Sequence, residues 1–345
     1  MKTTVVLRGG GWSLRIRPRA VAVGGACALV AFAIAVLSIG TGDYPMTPAE
    51  VLRALTGSAP ATDTFIVREL RLPRVAAALL VGAALALSGA VFQSLIRNPL
   101  GSPDLLGFTQ GASTGALVMI VLVGGQTAAV AAGAVVGGLA TGVLIYLLAW
   151  RHGLHGYRLV LVGIGVAAVL AGLNGYLITR AQIIEAARAM LWLTGSVDGR
   201  GWEDVIPLLI VLAVAAPVLL LCCARPLHML EMGDELAGGL GVRRELVRFT
   251  ALGAAVLLSA VSAATAGPVS FVALISPQVA RRLTRAPGPN LLPALCLGAA
   301  LLVAADFVGQ RLIPDRLLPV GVVTGALGGI YLTWLLSTER KANRL

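Results

Sequence analysis

The chain alternates long uncharged runs with short polar knots, and the runs set its architecture. From Val75 to Ser94 about twenty residues pass without a charge, enough for one helix to cross a hydrocarbon core of about 30 Å. Gly82, Ala86, Ser88 and Gly89 give that run a small-residue face on which neighbouring backbones can approach closely. Arg68, Arg71 and Arg74 stand before it, and Arg97-Asn98-Pro99-Leu100-Gly101-Ser102-Pro103-Asp104 follows it. Further apolar runs predict helices at 21–39, 105–124, 127–149, 158–178, 205–224, 248–266, 269–282, 291–309 and 318–337. With Val75–Ser94 these make ten crossings, an all-α polytopic membrane domain over 21–337, and return both ends to one side. Short helices are predicted at 47–55, after a turn at Asp43-Tyr44-Pro45, and at 182–193; the rest of 43–74 reads as polar loop.

Composition agrees with a membrane domain. The chain is 57% apolar and 12% charged, where a soluble domain carries about 25% charged residues. The net charge of +11 could serve a nucleic acid, but basic cytoplasmic loops account for it without one. Roughly two thirds of the basic residues fall on the side of the N-terminus, which predicts a cytoplasmic basic segment at 1–20 and a cytoplasmic tail at 338–345. The run at 21–39 exceeds the 7–15 apolar residues of a cleavable signal peptide, so it is expected to stay as the first crossing.

Little in the sequence offers catalysis. Cys27, Cys222, Cys223 and Cys296 lie in or beside apolar runs with no zinc or disulfide spacing, and read as packing. His152, His155 and His228 form no metal set, and no serine, histidine and acid share one surface. A nucleotide-binding loop needs glycines followed by a lysine, yet the only lysines are Lys2 and Lys341. Energy for transport would then come from a separate ATPase or from an ion gradient. A gradient-driven carrier places ionisable residues inside its helices, and Asp306 is almost the only candidate; it reads as a cap or as a partner of Arg311 or Arg316.

Four segments have a plain reading and a sharper one. Arg71 and Arg74 at the mouth of the 75–94 helix either snorkel to headgroups or offer guanidinium forks to carboxylates of a partner. In 225–248, Glu231, Asp234 and Glu235 are expected to start a short helix that Gly238-Gly239 ends, with a second from about Val242. Met229, Leu230, Met232, Leu236 and Leu240 would lie exposed there, a patch suited to a protein partner. Trp192 and Trp202 are ordinary interface anchors. Gly321, Thr324, Gly325, Gly328 and Gly329 make the last helix one of the least bulky, which tight packing alone would explain.

Several of these segments carry a resemblance. R-L-P-R at 71–74, G-A-A-L-A-L-S-G-A-x-x-Q at 82–93 and R-N-P-L-x-x-P-x-x-L-G at 97–107 resemble permease subunits of type II ABC importers for iron–siderophore complexes and cobalamin. The similarity continues through W-L-T-G-S at 192–196, L-x-x-G-x-x-x-A-x-x-L-G at 230–241, and A-G-P-V-S-F-V-A-L-I-S-P-Q-x-x-R-R at 266–282. It covers about Arg68 to Leu336, and N-P-L-G-S-P-D-L-L-G-F, L-E-M-G-D and G-G-I-Y are most like the ferric-catecholate, enterobactin-type branch.

The resemblance implies a permease that pairs with a second homologous permease, in that branch as a heterodimer. It also implies two copies of a cytoplasmic ATPase that hold ATP and magnesium, and an extracytoplasmic siderophore-binding protein. Arg71, Arg74 and, less securely placed, Arg311 would dock that protein, since Gln310 stands where the family often has arginine. Leu230, Glu231, Gly233, Asp234, Ala237, Leu240 and Gly241 would form the ATPase-coupling surface, and Gly156 and Tyr157 the inner gate. Gly321, Thr324, Gly325 and Gly328 would face the channel and the second permease, with the fifth and eighth crossings also lining the channel. Gln278 replaces the family's usual histidine, so no histidine role carries over. The expected cargo is a ferric siderophore, with cobalamin or haem, or an ion-coupled carrier, as the alternatives.

Overall fold

The computed structural model describes residues 5–9, 12–42, 44–151, 153, 156–313 and 317–342. The expected turn at Asp43, the loop histidines His152 and His155, and the Arg316 partner of Asp306 lie outside the described residues. An antiparallel hairpin, β1 (Val5–Gly9) with β2 (Trp12–Ile16), occupies the basic segment where no strand was expected. Helices follow: α1 (Pro18–Gly40), α2 (Pro48–Thr56), α3 (Ala61–Ile96), α4 (Phe108–Val123), α5 (Thr127–Ala149), α6 (Gly156–Arg180) and α7 (Ile183–Thr194). The second half comprises α8 (Trp202–Glu231), α9 (Asp234–Gly239), α10 (Arg244–Ala266), α11 (Val272–Thr284), α12 (Leu291–Gly309) and α13 (Val320–Ala342).

Among the described residues seven helices are long and apolar enough to cross a membrane: α1, α3, α5, α6, α8, α10 and α12. Two shorter apolar helices, Phe108–Val123 and Val320–Leu335, complete nine. The tenth expected crossing has a different form. The 13 residues of α11 rise only about 20 Å, and they are preceded by irregular backbone at 267–271, where Gly267 and Phe271 take positive φ.

Helix α3 is the axis of this arrangement. It packs against α12, α10, α11 and α8, and 83% of its apolar window is buried, against 17% for α1. Its small face explains why. A Cβ on Gly82 would sit 2.2 Å from the Gly298 carbonyl oxygen of α12, and one on Gly89 1.8 Å from the Ala273 carbonyl oxygen of α11. These are backbone-to-backbone contacts that any side chain would prise apart.

Two boundaries differ from expectation because wide helical turns absorb what looked like breaks. Helix α3 begins at Ala61, and its π-helical turn Ile66–Arg71 puts Arg68, Arg71 and Arg74 on helix rather than in a polar loop. Helix α8 continues past 224 to Glu231, because the π turn Val218–Cys223 lies between Pro217 and Pro226 and relaxes the ladder where proline cannot donate. Consequently Glu231 ends a long helix instead of starting a short one. No separate helix starts at Val242 either; the chain enters the crossing α10 at Arg244.

The close approach at Gly82 and Gly298 yields a direct test. Gly82→Val should lower the thermal melting point of the detergent-purified protein, with overpacking costing about 1–3 kcal/mol. Gly172→Val, at a position with nothing within 4 Å, should not. Equal melting points for the two variants would contradict the packing described.

Candidate functional site: a braced outer end and an ion-paired coupling end

The two ends of α3 carry separate polar constructions. At its start, the Arg74 guanidinium donates from Nη1 to Asp198 Oδ1 at 2.6 Å and from Nη2 to Asp306 Oδ1 at 3.0 Å. Asp306 is 2% exposed and also accepts from Gln310 at 2.6 Å. The expected pairing of Asp306 with Arg311 is thus replaced by Arg74, which reaches it because α3 and α12 lie against each other. Arg311 instead hydrogen-bonds the Phe307 carbonyl and the Thr41 hydroxyl, and stacks on the Phe307 ring. Arg71 donates to the carbonyls of Ile39 at 2.7 Å and Tyr44 at 2.6 Å, which ties the end of α1 to α3. All three predicted docking arginines are therefore gathered at one end, and all three are engaged within the chain.

Near the C-terminal end of α3, two segments that break helix meet. The polar knot after Ile96 starts at the surface, with 97–100 exposed, and turns inward from Gly101: Gly107 packs on Ala167 of α6, and Phe108 stacks on Phe92 with ring centroids 5.1 Å apart. Gln278 of α11 donates to the Pro99 carbonyl at 2.6 Å and accepts from Tyr331 of α13 at 3.3 Å, so it fastens three elements together. The Thr109 hydroxyl donates to Asp104 at 2.7 Å, and the same carboxylate faces the backbone N–H of Phe271 just before α11. Helices α4 and α11 thus present their N-terminal ends to one acidic residue, where partial positive charge favours an anion.

At the far end of α3 lies the second construction. Asp234, the first residue of α9, pairs with Arg97 and with Arg248 of α10, the latter at 2.7 Å, while Arg248 also meets Glu245 at 3.0 Å. Burial alone would raise the Asp234 carboxyl, but Arg248 and Arg97 outweigh it and hold the group below its ordinary range. Glu231 accepts from Arg281 of α11 at 2.6 Å and from Ser94 of α3 at 2.7 Å. Every acidic residue of the predicted coupling surface except Glu235 is thereby bonded into the bundle. Arg17 and Arg19 reach the Pro287 and Leu283 carbonyls at this same end, and Arg282 lies 4.9 Å over Trp334 near the end of α13. The start of α1 and the last turns of α13 therefore share the end that carries α9.

The exposed apolar patch is narrower than expected. Met232, Leu236 and Leu240 are exposed, whereas Leu230 and Ala237 are buried and hold α8 and α9 in place. Gly233 and Gly241 flank α9 with positive φ, conformations that favour glycine. Gly156 packs on Ile96, and Tyr157 beside it is largely exposed. On α13, Gly321 abuts the Thr194 carbonyl and Gly328 the Phe271 ring, while Gly325 faces open space and Thr324 is buried. Gly321 and Gly328 are therefore packing positions within this chain. The residues that sequence reasoning missed are the partners: Asp198 for Arg74, Arg97 and Arg248 for Asp234, and Ser94 and Arg281 for Glu231.

Reversing one member of a pair should show whether it holds the coupling end. Glu231→Arg and Arg281→Glu should each lower the melting point, and the swapped double variant should recover a coupling energy of about 1–3 kcal/mol; strictly additive losses would contradict the pairing. The depressed Asp234 carboxyl sets the pH dependence. Its stabilisation is fully present above its ordinary value of 3.8 and is lost only as pH falls through its lower folded value.

Comparison with known proteins gives this arrangement its family. The family model described as the FecCD transport family matches residues 29–338. The ferric enterobactin transport system permease protein FepG of Escherichia coli K12 is 46% identical over 304 residues, covering 87% of this chain and 91% of its own. The achromobactin transport system permease protein CbrC of Dickeya dadantii is 38% identical over 344 residues, covering 99% and 98%. A solved inward-facing conformation of a metal-chelate type ABC transporter superposes with a TM-score of 0.80 at 26% identity, over 92% of this chain and 99% of that one. The chain belongs to the FecCD transport family and is a permease subunit of an ABC importer.

Proposed function

We propose that this chain carries a ferric siderophore of the catecholate type across the bacterial inner or plasma membrane, as one of two permeases around a shared channel. The single observation that carries the cargo is the 46% identity to FepG over most of both chains. The permease is not itself an enzyme: ATP and magnesium belong to the partner ATPase. The second permease is a homologue, which makes the pair a heterodimer. Residues 1–20 and 338–345 and the 225–248 segment face the cytoplasm, in keeping with the excess of arginine at that end.

The mechanism follows from the two ends. The ATPase receives Met232, Leu236 and Leu240 of α9, the exposed apolar side chains of the coupling segment. When it moves α9, Asp234 pulls on Arg97 and Arg248, and the adjoining Glu231 pulls on Arg281. Arg97 begins the segment 97–107 that leads into α4, and Arg281 lies in the last turn of α11, so motion passes to α4 and α11. Gly156 and Tyr157, beside Ile96, act as the inner gate. Helices α6, α11 and α13 line the channel, with Gly325 open toward the second permease.

At the other end the binding protein docks on Arg71, Arg74 and Arg311. Arg74 can accept an outside carboxylate only by exchange. Asp198, whose side chain is half exposed, is the exchangeable partner, since an exposed pair has a net worth of about 0–1 kcal/mol. Buried Asp306 stays in place.

Two measurements test this reading. Asp198→Asn should tighten binding-protein docking by freeing one fork of Arg74; unchanged or weaker docking would remove Arg74 from that interface. Cells lacking the gene should lose uptake of radioiron as a ferric catecholate while keeping ferric hydroxamate and cobalamin uptake. Loss of cobalamin uptake alone would overturn the cargo and leave the transport mechanism standing.

A further inference from the structure

Between α7, the loop at 195–201, the facing ends of α4 and α5, and the start of α13 lies a cavity of about 440 Å³. It joins a larger one of about 860 Å³ in front of α1 and α3, with Arg74, Asp198 and Arg200 common to both. The smaller cavity is lined by three arginines, Arg74, Arg188 and Arg200, against one carboxylate, Asp198. Arg74 is neutralised twice over by Asp198 and Asp306. Arg188 and Arg200 are not: among the described residues neither has a carboxylate within 4.0 Å, and Arg200 makes one long hydrogen bond, to the Ser196 carbonyl at 3.5 Å. Both residues thus line the cavity without an ion pair among the described residues. Ile120, Val130, Leu191 and Trp192 supply apolar lining, the last two beside Arg188 on the same face of α7.

Such a lining selects by charge and by ring. A ferric tris-catecholate is an anion, because three doubly deprotonated catechols outweigh iron(III); a ferric tris-hydroxamate is neutral. Planar guanidinium groups pair with chelate oxygens and stack on aromatic rings, and Trp192 offers a further ring face. We propose that Arg188 and Arg200 are specificity-determining residues that read the negative charge of the ferric chelate at the outer mouth, separately from the arginines that dock the binding protein. This rests on the proposed function and narrows its substrate to anionic chelates.

The test uses the complete transporter in lipid nanodiscs without its binding protein. Radioiron ferric tris-catecholate and neutral ferric tris-hydroxamate serve as probes. Arg188→Gln/Arg200→Gln should weaken catecholate binding roughly tenfold and flatten its salt dependence. Hydroxamate binding and the docking affinity of the binding protein should not move, and the double lysine variant should recover part of the loss. Unchanged catecholate binding, equal loss for both probes, or no binding of either probe by the unaltered transporter would overturn the proposal. A loss confined to binding-protein docking would overturn it too, as would a response that follows the anionic lipid content of the disc. If the unaltered transporter binds the anion but transports no ferric chelate, the proposed function fails and the anion site stands.

Discussion

Backbone at membrane depth must find its hydrogen-bond partners inside the protein, because lipid supplies none. Two segments of this chain, 97–107 and 267–271, leave helical conformation within the bundle, and the rest of the fold is arranged to satisfy them. Gln278 reaches the Pro99 carbonyl within the first, while Gln93 and the Ser196 N–H take the Leu274 and Ala266 carbonyls of the helices that flank the second. Glycines 82 and 89 let α12 and α11 close on α3 backbone to backbone. Broken crossings of this kind are tolerated in transporters where they are buried in protein or line a cavity.

The same arrangement joins the two ends mechanically. Helix α3 carries Arg74 at one end, Gln93 and Ser94 deep in the bundle, and Arg97 at its C-terminal cap. The Arg74 end is braced by a buried carboxylate, Asp306, whereas the Arg97 end, the proposed coupling end, is held by pairs that are partly open to solvent. Ion pairs in a partly screened setting exchange partners at low cost, while a buried pair resists separation. The coupling end is therefore the one built to rearrange.

Much of the fold was legible as hydrophobic run length. Helix α12 lies where the sequence put it, and α5 likewise. What failed was punctuation. Arg68 and Arg71 read as loop because charge usually ends a span, and Arg225 read as the start of a polar segment, yet π turns carry both helices through. The hairpin of β1 and β2 lies in a short basic stretch with no long alternation to announce it. At the site, the motifs singled out Arg74, Glu231 and Asp234 but could not say what each touches. Asp198 and Arg281 stand 124 and 50 residues away from their partners, distances that only the folded bundle closes.

Within the described crossings, Asp306 is held by Arg74 and Gln310, so it is committed to structure. In the proposed mechanism energy enters through α9, where Met232, Leu236 and Leu240 are exposed to receive the ATPase. Sealed proteoliposomes holding the two permeases, with ATPase and binding protein supplied, test this most directly. Uptake of radioiron catecholate would be measured with ATP on the ATPase side, and again with a proton or sodium gradient and no nucleotide. The account predicts uptake with ATP that survives collapse of every gradient; uptake driven by a gradient without nucleotide would contradict it.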